Sequence, residues 1–396
     1  MNGIYPPDPN EYWAARRPDK RREAFIRATQ RYARLYNGAV NARSDHPAAD
    51  ASAPVWLVSD GRAGNERQVR ALADAMQLEA RSIHVRSRAP WRWFAPRLTA
   101  AAHWSFPDSL RRELHAPWPA LAIGCGRQSA LLTRSLRERS GGATFVLQIL
   151  DPRIAPSHFD LVVAPRHDAL TAANVIQTLG ALNPIDDAWL ARAANLFPAL
   201  AQLPQPRIVL LVGGPRRGLR LDDAWLDALI ARVDGWRQRD GGSVLVTTSR
   251  RTPAAWRERL RGAFRNGCTC FWGGAEDGAN PYATYLAVAD RLVVTPDSVN
   301  MLSEACAVGV PVVTQLPPGA PHKLAAFHAE LRDQGWLHGA DVDFSTLRQP
   351  PPLREIAAVA SKIWHVIEAT RPDVGARLQQ RGLRADGGSS SPGDEG

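Results

Sequence analysis

Residues 289–313 read ADRLVVTPDSVNMLSEACAVGVPVV. Leu292, Val293 and Val294 form a short apolar run, which predicts a strand buried on both faces. Thr295, Pro296, Asp297 and Ser298 break the run. Asp297 or Ser298 is suited to cap the next helix by accepting one of its free N–H groups. Gly309, Val310 and Pro311 end that helix and open a further apolar run. Strand, small-residue turn, helix and strand in sequence make a βαβ unit, and such units build parallel sheets covered by helices.

The same pattern recurs outward in both directions. It begins with VWLVSDGRAGNERQVRALADAM from Val55 and ALAIGCGRQSALLTRSL from Ala120. It returns in IVLLVGGPRRGLRLDDAWLDALI from Ile208 and SVLVTTSRRTPAAWRERL from Ser243. ATFVLQIL and FDLVVAP supply further strands. Pro204-Gln205-Pro206, directly before a new strand, reads as a stiff linker. The predicted fold class is α/β, with two doubly wound Rossmann-like domains facing across a cleft. Residues 52–203 form the first domain and residues 204–345 the second. A basic arm (1–51) precedes them, a helical segment (346–382) follows, and a Gly/Ser-rich tail (383–396) with the composition of a disordered segment ends the chain.

Composition excludes several classes. No run of about 18 apolar residues is present, so no membrane-spanning helix is expected. The polar, proline-rich start lacks the apolar segment of a secretory signal, and a cytoplasmic protein is expected. The net charge of +10 does not predict a nucleic-acid partner. Its arginines are spread along the chain and interleaved with acids, as on solvated helix faces. Cys125, Cys268, Cys270 and Cys306 lack the paired spacing of a zinc site. Neither a metal nor a bound cofactor is expected. The nucleotide signatures fail too: Gly124-Cys125-Gly126 lacks its third glycine, and the turn from Gly213 to Gly218 lacks the Lys-Ser/Thr of a P-loop.

Candidate site residues therefore come from position rather than motif. In parallel sheets ligands gather beyond the carboxyl ends of the strands. Gly213 and Gly214 end one strand there, and either let backbone approach a phosphate or simply turn the chain. Thr248, Ser249 and Arg250 end another, where hydroxyls and a guanidinium suit a diphosphate. Asp297, Ser298 and Asn300 start a helix, and Glu304 lies two turns after Asp297, where a carboxylate can accept both hydroxyls of a ribose. Gly61, Gly64 and Asn65 shape the facing loop of the first domain, and Asp60 can serve as a base. His167 and Asp168, at the end of FDLVVAP, are the preferred general base, since imidazole titrates near neutrality. Trp91, Trp93, Phe94 and Trp104 stand among arginines, as a membrane interface or a cap over the sheet requires.

The stretch from Ala289 resembles the donor half of the GT-B glycosyltransferases, including the peptidoglycan lipid II synthase type. There, a similar helix start contacts the diphosphate and a glutamate on that helix holds the ribose. DGRAGNERQ, LQILDPR, FDLVVAPRHD, TTSRRTP and NPYATYLAVADRLVVTPDSVNMLSEA are similar to blocks of the elongated-mitochondria family, named for plant mitochondrial fission factors, as a bacterial-type member would carry them. The resemblance covers residues 55–315. It implies a GT-B-like fold and a nucleotide-diphosphate sugar as donor substrate, moved without a metal to an envelope or lipid-linked acceptor. It equally allows a non-catalytic scaffold at a membrane surface, recruiting partners as the plant proteins do at mitochondria, or a nucleotide-sugar epimerase. Peripheral placement at the inner face of the membrane would follow from the lipid-linked or scaffold reading. Oligomeric state is not legible.

Overall fold

A computed structural model describes residues 55–385. The basic arm and most of the tail lie outside the described residues.

The first sheet carries β1 (Val55–Ser59), β2 (Arg81–His84), β3 (Leu121–Cys125), β4 (Phe145–Ile149), β5 (Leu161–Pro165) and β6 (Val175–Thr178) in the spatial order 2-1-3-4-5-6. Helix α1 (Ala63–Ala75) follows β1. The one-turn helices α2 (Trp91–Phe94) and α3 (Asp108–Arg111) lie between β2 and β3, and α4 (Arg127–Arg139) follows β3. After α5 (Asp187–Ala194) the second sheet takes β7 (Arg207–Val212), β8 (Ser243–Thr248), β9 (Thr269–Trp272), β10 (Arg291–Val294), β11 (Val312–Val313) and β12 (Leu337–His338) in the order 12-11-10-7-8-9. Its helices are α6 (Asp223–Asp240), α7 (Ala254–Ala263), α8 (Tyr282–Val288), α9 (Val299–Cys306) and α10 (His322–Asp333). Helices α11 (Ile356–Thr370) and α12 (Pro372–Ala385) close the described chain.

Every strand pair in both sheets is parallel. The central strands are buried along their length because helices cover both faces, which is why they read as unbroken apolar runs. Among the described residues no helix is long and apolar enough to cross a membrane.

Packing divides the chain differently from the proline linker. Leu179, Ile185, Phe197 and Leu200 join the core of the second sheet, beside Val209, Leu286 and Leu302. The handover therefore falls between 179 and 185, and Pro204 sits within the second unit. The chain then returns: Ile363, Ile367, Val374 and Leu378 of α11 and α12 pack on Leu57, Leu72 and Leu147 of the first sheet. The predicted single terminal helix is two, because Pro372 offers no N–H and Arg371 before it leaves helical geometry (φ −144°, ψ 62°).

Each sheet reverses its winding at one place. β1 winds outward to β2 on one side and to β3 on the other; β7 does the same between β8 and β10. Crevices beyond the strand ends at such switch points are where open parallel sheets bind ligands. The loop at 60–65 and Gly126 lie at the first switch point. Gly213, Gly214 and the residues from Asp297 to Asn300 lie at the second.

Candidate functional site

The two switch points face each other across a cavity of about 650 Å³. Asp60, Asn65, Arg127 and His167 wall it from the first domain, and Val299 and Asn300 from the start of α9. Arg62, Arg97 and Arg153 add positive charge, and Asp151 and Asp168 add negative charge.

On the first-domain side the loop is braced internally. The Asp60 carboxylate accepts from Asn65 Nδ2 at 2.9 Å and from the Arg62 amide at 3.2 Å. Gly61 holds φ at +76°, a conformation that favours glycine. At Gly64 a Cβ would overlap the Asn300 side-chain amide, so the starts of α1 and α9 approach closely there. Of this loop Asp60, Arg62 and Asn65 line the cavity, and the Asp60 carboxylate holds it in shape.

On the second-domain side Asp297 is fully buried and anchors the turn after β7. Its Oδ1 accepts from the Thr295 hydroxyl at 2.6 Å. Its Oδ2 accepts from the Gly214 amide at 3.2 Å and from the Arg251 guanidinium at 2.6 Å. Thr295 in turn accepts from the Gly213 amide at 2.7 Å. A Cβ at Gly213 would overlap the Asp297 carboxylate. Glycine is needed at 213 to let that carboxylate in. Ser298 caps α9 by accepting from the Met301 amide at 3.3 Å. Thr248 is buried and donates to the Gly273 carbonyl at 2.9 Å; half-buried Ser249 pairs with the Thr252 hydroxyl at 3.2 Å. Arg250 stands exposed, while its neighbour Arg251 reaches Asp297.

Glu304 is buried, and two side chains hold it. Tyr282 of α8 donates its hydroxyl to one carboxylate oxygen. Arg67, from α1 of the opposite domain, donates to the other at 2.8 Å and lies 5.8 Å from the centre of the Tyr282 ring. Burial pushes the Glu304 carboxyl up, against the lowering pull of Arg67 and the Tyr282 hydrogen bond. Burial first, and the nearby Glu304 carboxylate second, push the Tyr282 phenol well above its usual range. Arg67, Tyr282 and Arg251 hold the two candidate carboxylates; they lie within the blocks DGRAGNERQ, NPYATYLAVADRLVVTPDSVNMLSEA and TTSRRTP, where the sequence does not mark them as partners of Glu304 and Asp297. Tyr282 opens α8, well beyond the end of β9 at Trp272, and Arg67 lies among ordinary helix-face charges.

His167 and Asp168 follow β5 and meet α10. Lys323 of α10 lies 2.8 Å from Asp168 and 3.6 Å from Asp151, and Arg166 lies 3.0 Å from Glu330 of the same helix. The His167 ring lies 5.0 Å from Phe327, with Nδ1 buried and unpartnered. Burial lowers its pKa, so it is neutral at pH 7 and able to accept a proton.

Beneath the cleft His328 is buried, with Nε2 2.9 Å from the Pro296 carbonyl, and burial lowers its pKa to about 4. A depressed histidine stabilises the fold above the unfolded value near 6.5, and that contribution is lost as pH falls towards 4. Lowering pH from about 7 to 5 should cost the protein about 2 kcal/mol through this group. The dependence should flatten in His328→Gln, which keeps a donor for Pro296. Melting midpoints across that pH range test this; parallel curves for the two proteins would refute it.

Two parallel Rossmann-like sheets, with the β1 switch point and the start of α9 around one cavity, define a two-domain protein of GT-B-like architecture. The sequence profile of the family described as Mitochondrial fission ELM1 matches residues 63–367, and the chain belongs to that family. The Mitochondrial fission protein ELM1 of Arabidopsis thaliana is 34% identical over 291 residues, covering 64% of this chain and 65% of the plant protein. The chain thus spans just under two thirds of that relative's length. An uncharacterized protein of Rickettsia prowazekii (strain Madrid E) is 24% identical, covering 67% of this chain and 83% of its own. Among solved structures, UDP-GlcNAc 2-epimerase from Neisseria meningitidis bound to UDP-GlcNAc aligns with a TM-score of 0.45 at 10% identity, over 78% of this chain and 98% of that one.

Proposed function

We propose that the chain is a metal-independent glycosyltransferase. It takes a sugar from a nucleotide-diphosphate sugar and passes it to an envelope acceptor, lipid-linked acceptors included, in the cytoplasm at the inner face of the membrane. The observation that carries this reading is the convergence of both switch points on one cavity of about 650 Å³, the size of a small-molecule site. The diphosphate would lie against the N–H groups at the start of α9 and the guanidinium groups of Arg62 and Arg127. The acceptor hydroxyl would give its proton to His167, or to Asp168 beside Lys323. Its oxygen would bond to the anomeric carbon as the bond from that carbon to the diphosphate breaks. The charge left on the diphosphate would meet positive groups already in place.

One observation favours a second reading, a scaffold that keeps the fold without the reaction. Glu304, the carboxylate suited to a ribose, is already held by Tyr282 and Arg67.

Melting midpoints with UDP-, GDP-, ADP- and TDP-sugars separate the two. Binding at about 100 times Kd should stabilise the folded chain by about 2.7 kcal/mol. The shift should appear with one base and shrink in Arg127→Ala. No shift with any nucleotide-sugar would favour the scaffold, and interconversion of sugars without acceptor would favour an epimerase.

A further inference from the structure

Among the described residues three large apolar side chains stand out into solvent: Trp93, Phe94 and Trp104, at 63%, 57% and 57% exposure. All three lie between β2 and β3. Trp93 and Phe94 are on α2, and Trp104 is on the short turn of helix Ala102–Ser105 against which α2 packs. The Trp91 indole joins the two by donating to the Ala100 carbonyl at 2.8 Å.

This is a fixed ledge rather than a loose loop. Ala95, Phe106, Leu110 and Leu114 beneath it are buried with Trp56, Val58 and Leu131. Arg127 donates to the Arg92 carbonyl at 3.1 Å, and Arg134 to the Pro96 carbonyl at 3.2 Å, so α4 grips its backbone. Three aromatic rings held outward by so many anchors are not explained by the core.

The charge around them is one-sided. Residues 86–112 contain six arginines and one acid, Asp108, which Arg111 already pairs at 2.5 Å. Arg86, Arg88, Arg92, Arg97 and Arg112 are exposed, and Arg111 lies 4.7 Å from the centre of the Trp104 ring. Indole and phenyl rings flanked by guanidinium groups match a bilayer interface, where rings settle at headgroup depth and cations meet lipid phosphate. The rings stand proud of the surface, as insertion between headgroups requires.

We infer that this ledge docks the protein on the surface of an anionic phospholipid leaflet. Docking stands apart from the transferase reading. One consequence rests on that reading: Arg97 and Arg127 belong to both the ledge and the cavity wall, so a docked protein holds its cleft beside the headgroups, where a lipid-borne acceptor would be met.

The test is co-sedimentation of the full chain with vesicles of phosphatidylcholine alone or with about 30 mol% phosphatidylglycerol. The expected result is binding to the anionic vesicles only, weakened by added salt, and lowered about tenfold in Trp93→Ser/Phe94→Ser/Trp104→Ser. The basic arm outside the described residues is present in both proteins, so the difference reports the ledge. These side chains are exposed, so the variant should keep the wild-type melting midpoint. Should it not, quenching of wild-type tryptophan fluorescence by brominated phosphatidylglycerol gives an independent reading, with quenching expected. Absence of binding, unchanged binding by a folded variant, or absence of quenching would each overturn the inference. No nucleotide enters the assay, so failure here leaves the cleft untouched.

Discussion

Asp297→Ala is expected to destabilise the protein by about 2–4 kcal/mol. The carboxylate is fully buried and receives the Thr295 hydroxyl, the Gly214 amide and the Arg251 guanidinium. Alanine leaves the first two without acceptors in a buried site, each at a cost of about 1–3 kcal/mol. Arg251 is 47% exposed and can turn to solvent, so the loss falls short of that for a wholly buried pair. Asp297→Asn keeps the shape and one acceptor oxygen, but its amide hydrogens face other donors, and it should lose about half as much. Denaturant midpoints at unchanged slope measure both. An alanine variant within about 1 kcal/mol of wild type would show that the turn re-pairs elsewhere.

That role for Asp297 was not legible in the chain, although its importance was. Residues 295–298 announce a helix start, and position alone cannot say whether an acid there faces a ligand or the protein's own backbone. The deciding partners, Thr295, Gly214 and Arg251, come from three separate strand ends. Arg250 shows the same limit: adjacent arginines in one turn point differently, and it is Arg251 that reaches the carboxylate.

The fold was more legible than the site because it depends on repeated local patterns. β1, β3, β7 and β10 are unbroken apolar runs, and the strand–turn–helix units around them predict two parallel sheets. The strands without a clear signal are edge or short ones: β2, β6 and β9 are half exposed, and β12 has two residues. A strand covered on one face only need not be apolar throughout. The domain crossing between 179 and 185 is also silent locally. Leu179 and Ile185 join one core and Leu182 the other, and only tertiary packing separates them.

Arg67 and Glu304 should give opposite results in nucleotide-sugar binding. The pair joins α1 to α9 across the cleft, so a ribose can take the carboxylate only by displacing the guanidinium. Arg67→Ala removes the competitor. Arg67 is 49% exposed but Glu304 is buried, so the stranded carboxylate should cost about 1–3 kcal/mol of stability, while affinity should rise about tenfold. Without Arg67 the carboxyl, already raised by burial, rises further, so binding by this variant should strengthen as pH is increased. Glu304→Ala should abolish the nucleotide-dependent shift. It also strands the buried Tyr282 hydroxyl, at about 1–3 kcal/mol, and Glu304→Gln should recover most of that stability by accepting from Tyr282. Calorimetric titration of the three variants reads affinity apart from stability. Weaker binding by Arg67→Ala would mean that the guanidinium touches the ligand itself. Equal binding by all three would place the ribose away from Glu304, and the pair would then serve only to hold the two domains together.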